Sequence, residues 1–274
     1  SRTSAASDVY KRQLYNIAMD SVKLNQEGVT PIKAELAAID ALKDKGEIYA
    51  YIAESQKKGI RPYFTMFVSA DDMNSSMNIV QTYQGGIGMG QRDYYLENDE
   101  QTKNIRNKYQ EHIAKMFQLA GYDEATAQKA VKAGMNIETR LAKAARSQVE
   151  LRDPHANYNK MDRATLKKNF PTFDWDTYFT VSGLKDLEEV NVGQPAAMKE
   201  VADVINTVSL DDQKLYLQWG LIDAAASYLS DDFEAQNFDF YSRTMSGKKE
   251  MQPRWKRSVS TVDGVLGEVV GQMY

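Results

Sequence analysis

A glycine-rich segment at residues 78–97, NIVQTYQGGIGMGQRDYYLE, constrains the fold of this chain more than any other stretch. Gly85, Gly86, Gly88 and Gly90 permit positive φ angles or a close approach of neighbouring backbone. Glycine at this density is unfavourable inside a helix, and the charged and aromatic residues that follow are untypical of a flexible linker. The segment is therefore predicted to be a loop of defined shape.

Four charged or aromatic side chains follow these glycines, namely Arg92, Asp93, Tyr94 and Tyr95. An arginine fork can fasten such a loop to carboxylates or carbonyls of neighbouring elements. The GGIGMG run lacks the spacing of a dinucleotide-binding fingerprint, and no Lys-Ser or Lys-Thr pair follows it to hold a nucleotide phosphate. We therefore interpret the segment as a structural loop, with a ligand-facing loop as the less favoured alternative.

Composition limits the classes of function. The 274 residues are 42% hydrophobic and 26% charged, which is typical of a soluble protein with a sizeable core. With 38 acidic and 34 basic residues the net charge is -4, so no overall positive field would attract nucleic acid or an anionic membrane surface. No apolar run approaches the ~20 residues that span a bilayer. We therefore predict neither a nucleic-acid partner nor membrane contact for this segment.

Apolar residues recur at helical spacing along most of the chain. One stripe comprises Ile105, Tyr109, Ile113, Met116, Phe117 and Ala120, and the next helix has a small apolar face at Ala127, Ala130, Val131, Gly134, Ile137, Leu141 and Ala144. A face of small side chains allows a neighbouring helix to pack closely. Residues 63–68 are β-branched and aromatic, which indicates one strand. The predicted fold class is mainly α, a multi-helix lobe with at most a short local β-strand or hairpin.

Local signals predict where several helices begin. Thr30 precedes Pro31 and is expected to be an N-cap. Asp123 is expected to cap the helix with the small apolar face. Ser209, with Asp212 three residues later, resembles a capping arrangement for a long helix that continues through Leu229.

Four segments together carry a family resemblance. They are GGIGMGQRDYYL at residues 85–96, and residues 136–161, 211–229 and 247–274. In this order they are similar to GLGLPxRDYYL, to an E-x-x-LA helix followed by RDxxxxYN, to a YLxWxLL helix, and to RWxRC followed by a glycine-rich segment. These motifs belong to the N-terminal domain of the neprilysin-type zinc metallopeptidases, the family of neprilysin, the endothelin-converting enzymes and bacterial oligoendopeptidase O. The resemblance spans about residues 14–274.

The resemblance implies that the intact protein is a zinc-dependent metalloendopeptidase that hydrolyses peptides. In that family a catalytic domain binds zinc through two histidines and a glutamate. This chain resembles the other domain, a helical lobe that encloses the cavity and restricts substrate size. The implied cofactor is zinc in a catalytic domain beyond Tyr274, and none is expected to bind here. The implied partners are peptide substrates and that C-terminal catalytic domain.

The ends of the chain carry their own predictions. Residues 1–13, SRTSAASDVYKRQ, resemble translated adaptor sequence and are interpreted as a non-native leader, so residues 14–274 are the expected domain, incomplete at both ends. Near the other end Val259, Val262, Leu266, Val269 and Met273 predict an amphipathic helix. The helix is expected to lead into the catalytic domain.

Cysteine is absent from the chain, and Ser258 stands where animal members of the family usually carry cysteine. Animal homologues are disulfide-bonded ectodomains, so a cysteine-free version suggests a bacterial enzyme stabilised by packing alone. A periplasmic or otherwise extracytoplasmic location is favoured, with the cytoplasm as the alternative.

Candidate catalytic residues are few. The two histidines, His112 and His155, do not form a His-Glu-x-x-His motif, and the absence of cysteine excludes a thiolate nucleophile. His112 is interpreted as a residue at the edge of an amphipathic helix, and His155 as an exposed or hydrogen-bonded loop residue. We predict no catalytic and no metal-binding residue in this chain, and the sequence does not identify a substrate-binding residue.

The remaining candidates are interpreted as structural motif residues. They are Gly85, Gly86, Gly88, Arg92, Asp93, Tyr94, Tyr95, Glu138, Arg152, Asp153, Tyr158, Asn159, Trp219, Arg254 and Trp255. Glu138 is expected to be buried or half-buried and to contact Arg92 or Arg152. Arg92 with Asp93, and Arg152 with Asp153, are expected to anchor loops.

Two other classes of function remain open at this stage. Composition alone favours a non-catalytic helical binding or adaptor protein. A stand-alone hydrolase that uses Glu/Asp pairs is the other alternative, and it would be active without added metal.

Overall fold

The computed structural model describes residues 8–13 and 28–247, and most of these residues are helical. Residues 8–13 form a helical segment. In chain order the other elements are α1 (Thr30–Asp40), α2 (Ile48–Lys57), β1 (Phe64–Asp71), β2 (Asn74–Gln84), α3 (Asp93–Leu96), α4 (Glu100–Leu119), α5 (Glu124–Ala144), β3 (Lys160–Asp162), α6 (Arg163–Asn169), α7 (Trp175–Val181), β4 (Glu189–Val192), α8 (Pro195–Thr207), α9 (Leu210–Ala225), α10 (Asp231–Asn237) and a π-helix (Phe238–Thr244). Short 3₁₀ turns lie at Lys45–Glu47, Glu150–Arg152 and Ala226–Tyr228.

Helix α5 lies at the centre of the helical layer. It packs against α4, α8 and α9, and its small residues Ala127, Ala130 and Gly134 are buried at these contacts. Asp123 begins the helix by accepting a 2.7 Å hydrogen bond from the Thr126 N–H, as predicted. The small apolar face therefore has the role that its composition indicates, since large side chains would separate the helices.

A small sheet packs beside the helices, with strand order β1-β2-β4-β3. Strands β1 and β2 form an antiparallel hairpin in which Phe64 lies opposite Gln84. Strand β4 pairs parallel with β2 and antiparallel with β3. The mainly α prediction is confirmed. The predicted strand at residues 63–68 overlaps β1, which continues to Asp71.

Two parts of the sequence pattern were interpreted incompletely. The segment at residues 78–97 was predicted to be one loop, but its first third belongs to β2, because Ile79 and Val80 pack into the core beside β1. Between Arg152 and Pro195 the sequence shows no clear helical or strand period, yet this region contains α6, α7, β3 and β4. These elements have three to seven residues, too few for a period to be recognised.

Helix ends agree with the predicted signals in most places. Ser209 caps α9 through a 3.2 Å bond from the Asp212 N–H. The prediction for Thr30 was wrong by one residue, since Val29 is the N-cap and Thr30 is already helical. Within the described ranges no helix is both long and apolar enough to cross a membrane. Arg254, Trp255, Ser258 and the stripe of apolar residues at 259–273 lie outside the described residues.

Candidate functional site

The glycine loop, residues 85–90, connects β2 to the segment before α3. Gly86 has φ +74°, and a Cβ there would lie 2.8 Å from both the Tyr216 hydroxyl and the Tyr63 backbone nitrogen. The Tyr216 hydroxyl donates to the Gly86 carbonyl at 2.6 Å and accepts from the Tyr63 N–H at 3.1 Å. Tyr63 itself has φ +68°, a left-handed conformation that side chains rarely adopt. Tyr216 of α9 therefore holds two unusual backbone positions together.

The other end of the glycine loop is fastened to Glu138 of α5. The Gly88 N–H donates to Glu138 Oε1, and the Tyr95 and Tyr109 hydroxyls donate to the same carboxylate at 2.7 and 2.8 Å. Glu138 is only 1% exposed. All three donors approach from different elements, so the carboxylate joins the loop, α3 and α4 to the central helix.

One backbone N–H and one indole N–H fix the direction of the hydrogen bonds around Glu138. The Met89 N–H donates to the Tyr95 hydroxyl at 3.1 Å, and the Trp219 indole N–H donates to the Tyr109 hydroxyl at 2.9 Å. Each hydroxyl therefore accepts one hydrogen bond and directs its own proton at Glu138. Burial raises the pKa of Glu138 to about 7, while the bonds from Gly88, Tyr95 and Tyr109 act in the opposite direction.

A second carboxyl, that of the half-buried Asp223 on α9, lies near Glu138. Burial raises the pKa of Asp223 to about 7, and the Tyr241 hydroxyl of the π-helix lies beside it. Asp223 Oδ1 is shielded from solvent, and the hydrogen bond between the Tyr241 hydroxyl and this carboxyl acts against the rise in the pKa of Asp223. The charge of Asp223 also contributes to raising the pKa of Glu138. Asp223 was not identified as a candidate from the sequence, because its neighbours Ile222 and Ala224 suggest an ordinary helix.

His112 lies in the core rather than at its edge, so that interpretation is corrected. Its ring stacks on Phe240 at 4.9 Å between centroids and meets Trp219 edge-on at 5.5 Å. Nδ1 lies 3.0 Å from the Gln236 side-chain nitrogen, and burial lowers the pKa of His112 to about 3. The π-helix was not predicted, and it is this element that covers His112. His155 is exposed in a loop.

A cleft of about 550 Å³ opens between the glycine loop and α9. The loop contributes Gly85, Gly86, Ile87, Gly88 and Gly90, and α9 contributes Tyr216, Trp219, Gly220, Asp223 and Ala224. Glu138 and Arg61 also line it. The predicted structural loop therefore forms one wall of a cleft that is lined by both Glu138 and Asp223.

Arg92 does not make the contact with Glu138 that the sequence suggested. Its guanidinium lies 3.7 Å from Glu150 Oε1, and 28% of the Arg92 side chain is exposed. Glu138 takes its hydrogen bonds from Gly88, Tyr95 and Tyr109 instead of from Arg92 or Arg152. The expectation failed because hydroxyl donors 29 and 43 residues away in sequence satisfy the carboxylate.

The predicted RDxxxxYN residues form a turn beside the sheet. Asp153 accepts a 3.0 Å hydrogen bond from the His155 N–H, which is a local loop anchor. The Asn159 side chain donates to the Ala156 carbonyl at 2.9 Å. The hydroxyl of Tyr158 bonds to Asp71 in the hairpin. These residues stabilise a turn away from the cleft lining.

The described residues were compared with the ligand sets that metal ions require. Among them, no group of three or more His, Asp or Glu side chains is arranged to hold a metal ion. The ring of His112 packs against the aromatic side chains of Phe240 and Trp219.

Comparison with known proteins is decisive for the family. The family model described as "Peptidase family M13" matches residues 1–274. The chain belongs to peptidase family M13. Our prediction of the N-terminal domain of a neprilysin-type metallopeptidase is thereby confirmed.

Three relatives illustrate the similarity, and each matches between 78% and 97% of this M13 chain. Human endothelin-converting enzyme 1 is 30% identical over 219 residues, which are 78% of this chain and 28% of that protein. The Mycobacterium tuberculosis zinc metalloprotease Zmp1 in complex with an inhibitor is 33% identical, with a TM-score of 0.86 over 94% of this chain and 39% of Zmp1. PepO from Lactobacillus rhamnosis HN001 shares the fold, with a TM-score of 0.70 over 97% of this chain and 42% of PepO, at 18% identity.

Proposed function

We propose that the protein containing this chain is a zinc-dependent metalloendopeptidase, and that this chain is its helical non-catalytic lobe. One observation carries the proposal: the fold of Zmp1, a zinc metalloprotease by name, is matched over 94% of this chain at 33% identity. Similarity that extends through the whole lobe indicates common descent with an enzyme and is more specific than a shared helical fold.

The chain spans about 28% of endothelin-converting enzyme 1 and 39% of Zmp1, so most of each relative lies outside the matched part. We place the two histidines and the glutamate that would bind zinc in sequence outside this chain. The whole chain has two histidines. His112 is enclosed by aromatic rings and His155 is exposed in a turn, and neither belongs to a three-ligand group.

We further propose that the lobe encloses a cavity and restricts the size of substrates. The layered packing of α4, α5, α8 and α9 supports a rigid wall. The glycine loop is fastened by Glu138 on one side and Tyr216 on the other. Rigid positioning of loops is what a size-restricting surface requires.

The experiment compares the complete protein with this chain. The reading frame that contains the chain would be expressed in full, and hydrolysis of short fluorogenic peptides would be measured with zinc, with a chelator, and after zinc is restored. We expect chelator-sensitive hydrolysis by the complete protein and none by the 274-residue chain. The same peptide sequence within a folded protein tests size restriction, and it should be cleaved far more slowly.

Three results would contradict the proposal. They are hydrolysis by the 274-residue chain alone, hydrolysis by the complete protein that a chelator does not affect, and equal cleavage of the folded and short substrates. The last result would remove only the size-restricting role.

A further inference from the structure

The tip of the β1–β2 hairpin, residues 72–78, is exposed over its whole length. Strand β4 pairs with β2 only at Gln81 and Thr82, so the tip extends past this pairing. At the base of the tip, the buried Asp71 accepts a 2.9 Å hydrogen bond from the Met73 N–H. The tip is therefore fixed at its base and open to solvent beyond it.

This tip contains the one Asn-x-Ser/Thr sequence of the 274 residues, Asn74-Ser75-Ser76. Such a sequence is the acceptor motif for N-linked glycosylation. Asp72 places an acidic side chain two positions before the asparagine, which many bacterial oligosaccharyltransferases require in addition. The motif alone arises by chance in many proteins, and only an exposed copy can be modified.

Asn74 and Ser76, the first and third residues of this motif, lie side by side. They are two positions apart on β2, so their side chains point to the same face of the strand. The Ser76 hydroxyl donates to Asn74 Oδ1 at 2.7 Å. Because this bond engages the amide oxygen, it does not occupy Asn74 Nδ2, which is the atom that receives the sugar.

Two of the four large hydrophobic side chains that are exposed among the described residues lie within three residues of Asn74. Met73 is 70% exposed and Met77 is 57% exposed. Apolar side chains at the tip of a hairpin favour contact with other chains, and β1 is an edge strand of the sheet. A bulky, hydrophilic oligosaccharide on Asn74 would shield both methionines.

Asn74 lies at the opposite end of β2 from the glycine loop. The strand has 11 residues and Gly85 follows it directly. A strand rises by about 3.3 Å per residue, so about 30 Å separate Asn74 from the loop. An oligosaccharide on Asn74 would therefore be attached far from the cleft between the glycine loop and α9.

We propose that Asn74 is an acceptor for N-linked glycosylation by a bacterial-type oligosaccharyltransferase, with Ser76 and Asp72 completing the motif that the transferase recognises. The donor is an oligosaccharide linked to a lipid diphosphate. Asn74 Nδ2 forms a bond to C1 of the first sugar and gives up one proton to a base of the transferase. The bond between C1 and the diphosphate oxygen breaks, and the lipid diphosphate leaves. The modification depends on export of this lobe, because these transferases act outside the cytoplasm.

The test is export of the complete protein to the periplasm of a bacterium that carries such a transferase and its lipid-linked donor. Mass spectrometry of the peptide that contains Asn74 measures the fraction that carries the sugar. We expect the mass of this peptide to increase by one oligosaccharide. A strain with an inactive transferase is the control, and the increase should be absent there.

Four single variants assign the modification to the motif. Asn74→Gln removes the acceptor nitrogen, Ser76→Ala removes the hydroxyl, and Asp72→Asn removes the acidic charge. Each of these three substitutions should abolish the mass increase. Ser75→Ala changes the middle position, which the motif leaves free, and this matched control should be modified as the unsubstituted protein is. All four positions are exposed, so the variants should fold normally, and circular dichroism checks this.

An unmodified Asn74 in the folded, periplasmic protein would overturn the proposal and show that the tip is an ordinary solvated turn. Only the periplasmic fraction is measured, so a failure of export is not mistaken for a lack of modification. A mass increase that persists in Asn74→Gln, Ser76→Ala or Asp72→Asn would overturn the proposal equally. Peptidase activity enters none of these results, so this proposal and the proposed function fail separately.

Discussion

The indole N–H of Trp219 donates to the Tyr109 hydroxyl at 2.9 Å, and this single bond determines which way the hydroxyl proton points. Tyr109 must then donate to Glu138, which it does at 2.8 Å. Tyr95 repeats the arrangement with the Met89 N–H as its donor. Glu138 therefore receives convergent donors whose orientation is set from outside the carboxylate, and this favours its ionised form despite burial.

Removal of the Tyr95 hydroxyl tests this network. Tyr95→Phe would leave the buried Met89 N–H without its acceptor and Glu138 with one donor fewer. We expect the free energy of unfolding to fall by about 1–3 kcal/mol, as for other unsatisfied buried groups. Denaturant unfolding at pH 8 measures it. Tyr94→Phe is the control from the same helix, and an equal loss in both variants would show that the network has no special role.

The helices were predictable because their signals are local. The apolar stripe of α4 and the small face of α5 repeat within single helices, and the Asp123 cap lies next to the helix that it begins. The site was less predictable. Tyr109 was assigned to an apolar stripe and is indeed buried, but the stripe gives no information about where its hydroxyl points.

The interpretation of Arg92 shows the same limit. Sequence proximity to the glycines suggested that Arg92 anchors the loop to a buried carboxylate, yet it lies beside the exposed Glu150. Exposed pairs of this kind contribute little to stability. We now expect Arg92→Ala to change the melting temperature much less than Tyr95→Phe does, and thermal unfolding of both variants compares them directly. A larger effect of Arg92→Ala would restore the original interpretation.

Gly88 and Gly90 of the loop are required for different reasons, and alanine substitutions at the two positions distinguish these reasons. A Cβ at Gly88 would lie 2.1 Å from the Tyr109 hydroxyl, so Gly88→Ala must displace a member of the network. A Cβ at Gly90 would meet nothing within 4 Å among the described residues, but φ is +83°. We expect Gly90→Ala to cost about 1–2 kcal/mol from backbone strain alone and Gly88→Ala to cost more. Chemical denaturation gives both values, and the reverse order would contradict the structure.

Tyr216 is expected to be the main fastening of the strained backbone at Tyr63. Tyr216→Phe leaves the Tyr63 N–H and the Gly86 carbonyl without the hydroxyl that joins them. We expect a loss of about 2–4 kcal/mol, the sum of two modest penalties for buried backbone groups. Tyr122→Phe, whose ring packs on Phe117 in the turn after α4, is the matched control. Comparable stability of the two variants in urea would show that the strain is held elsewhere.

Stability should fall as the pH rises through neutrality, because burial raises the pKa of Glu138 from 4.5 and of Asp223 from 3.8, each to about 7. Between the unfolded and folded values the folded chain binds more protons than the unfolded chain, so the stabilisation is complete below about pH 4 and is lost as the pH approaches and passes 7. Each carboxyl contributes a slope of about 1.4 kcal/mol per pH unit inside this window, and the pair titrates as a coupled unit. Below this pH window, capping carboxyls act in the opposite direction, such as Asp99 and Asp123, whose pKa values are lowered by hydrogen bonds from the side chain and backbone of Thr102 and of Thr126. Urea unfolding from pH 5 to 8 should therefore show decreasing stability. Asp223→Asn and Glu138→Gln should each flatten the slope of the free energy of unfolding against pH. The exposed control Glu111→Gln should leave that slope unchanged. A slope that neither Asp223→Asn nor Glu138→Gln changes would show that these two carboxyls do not titrate in this range.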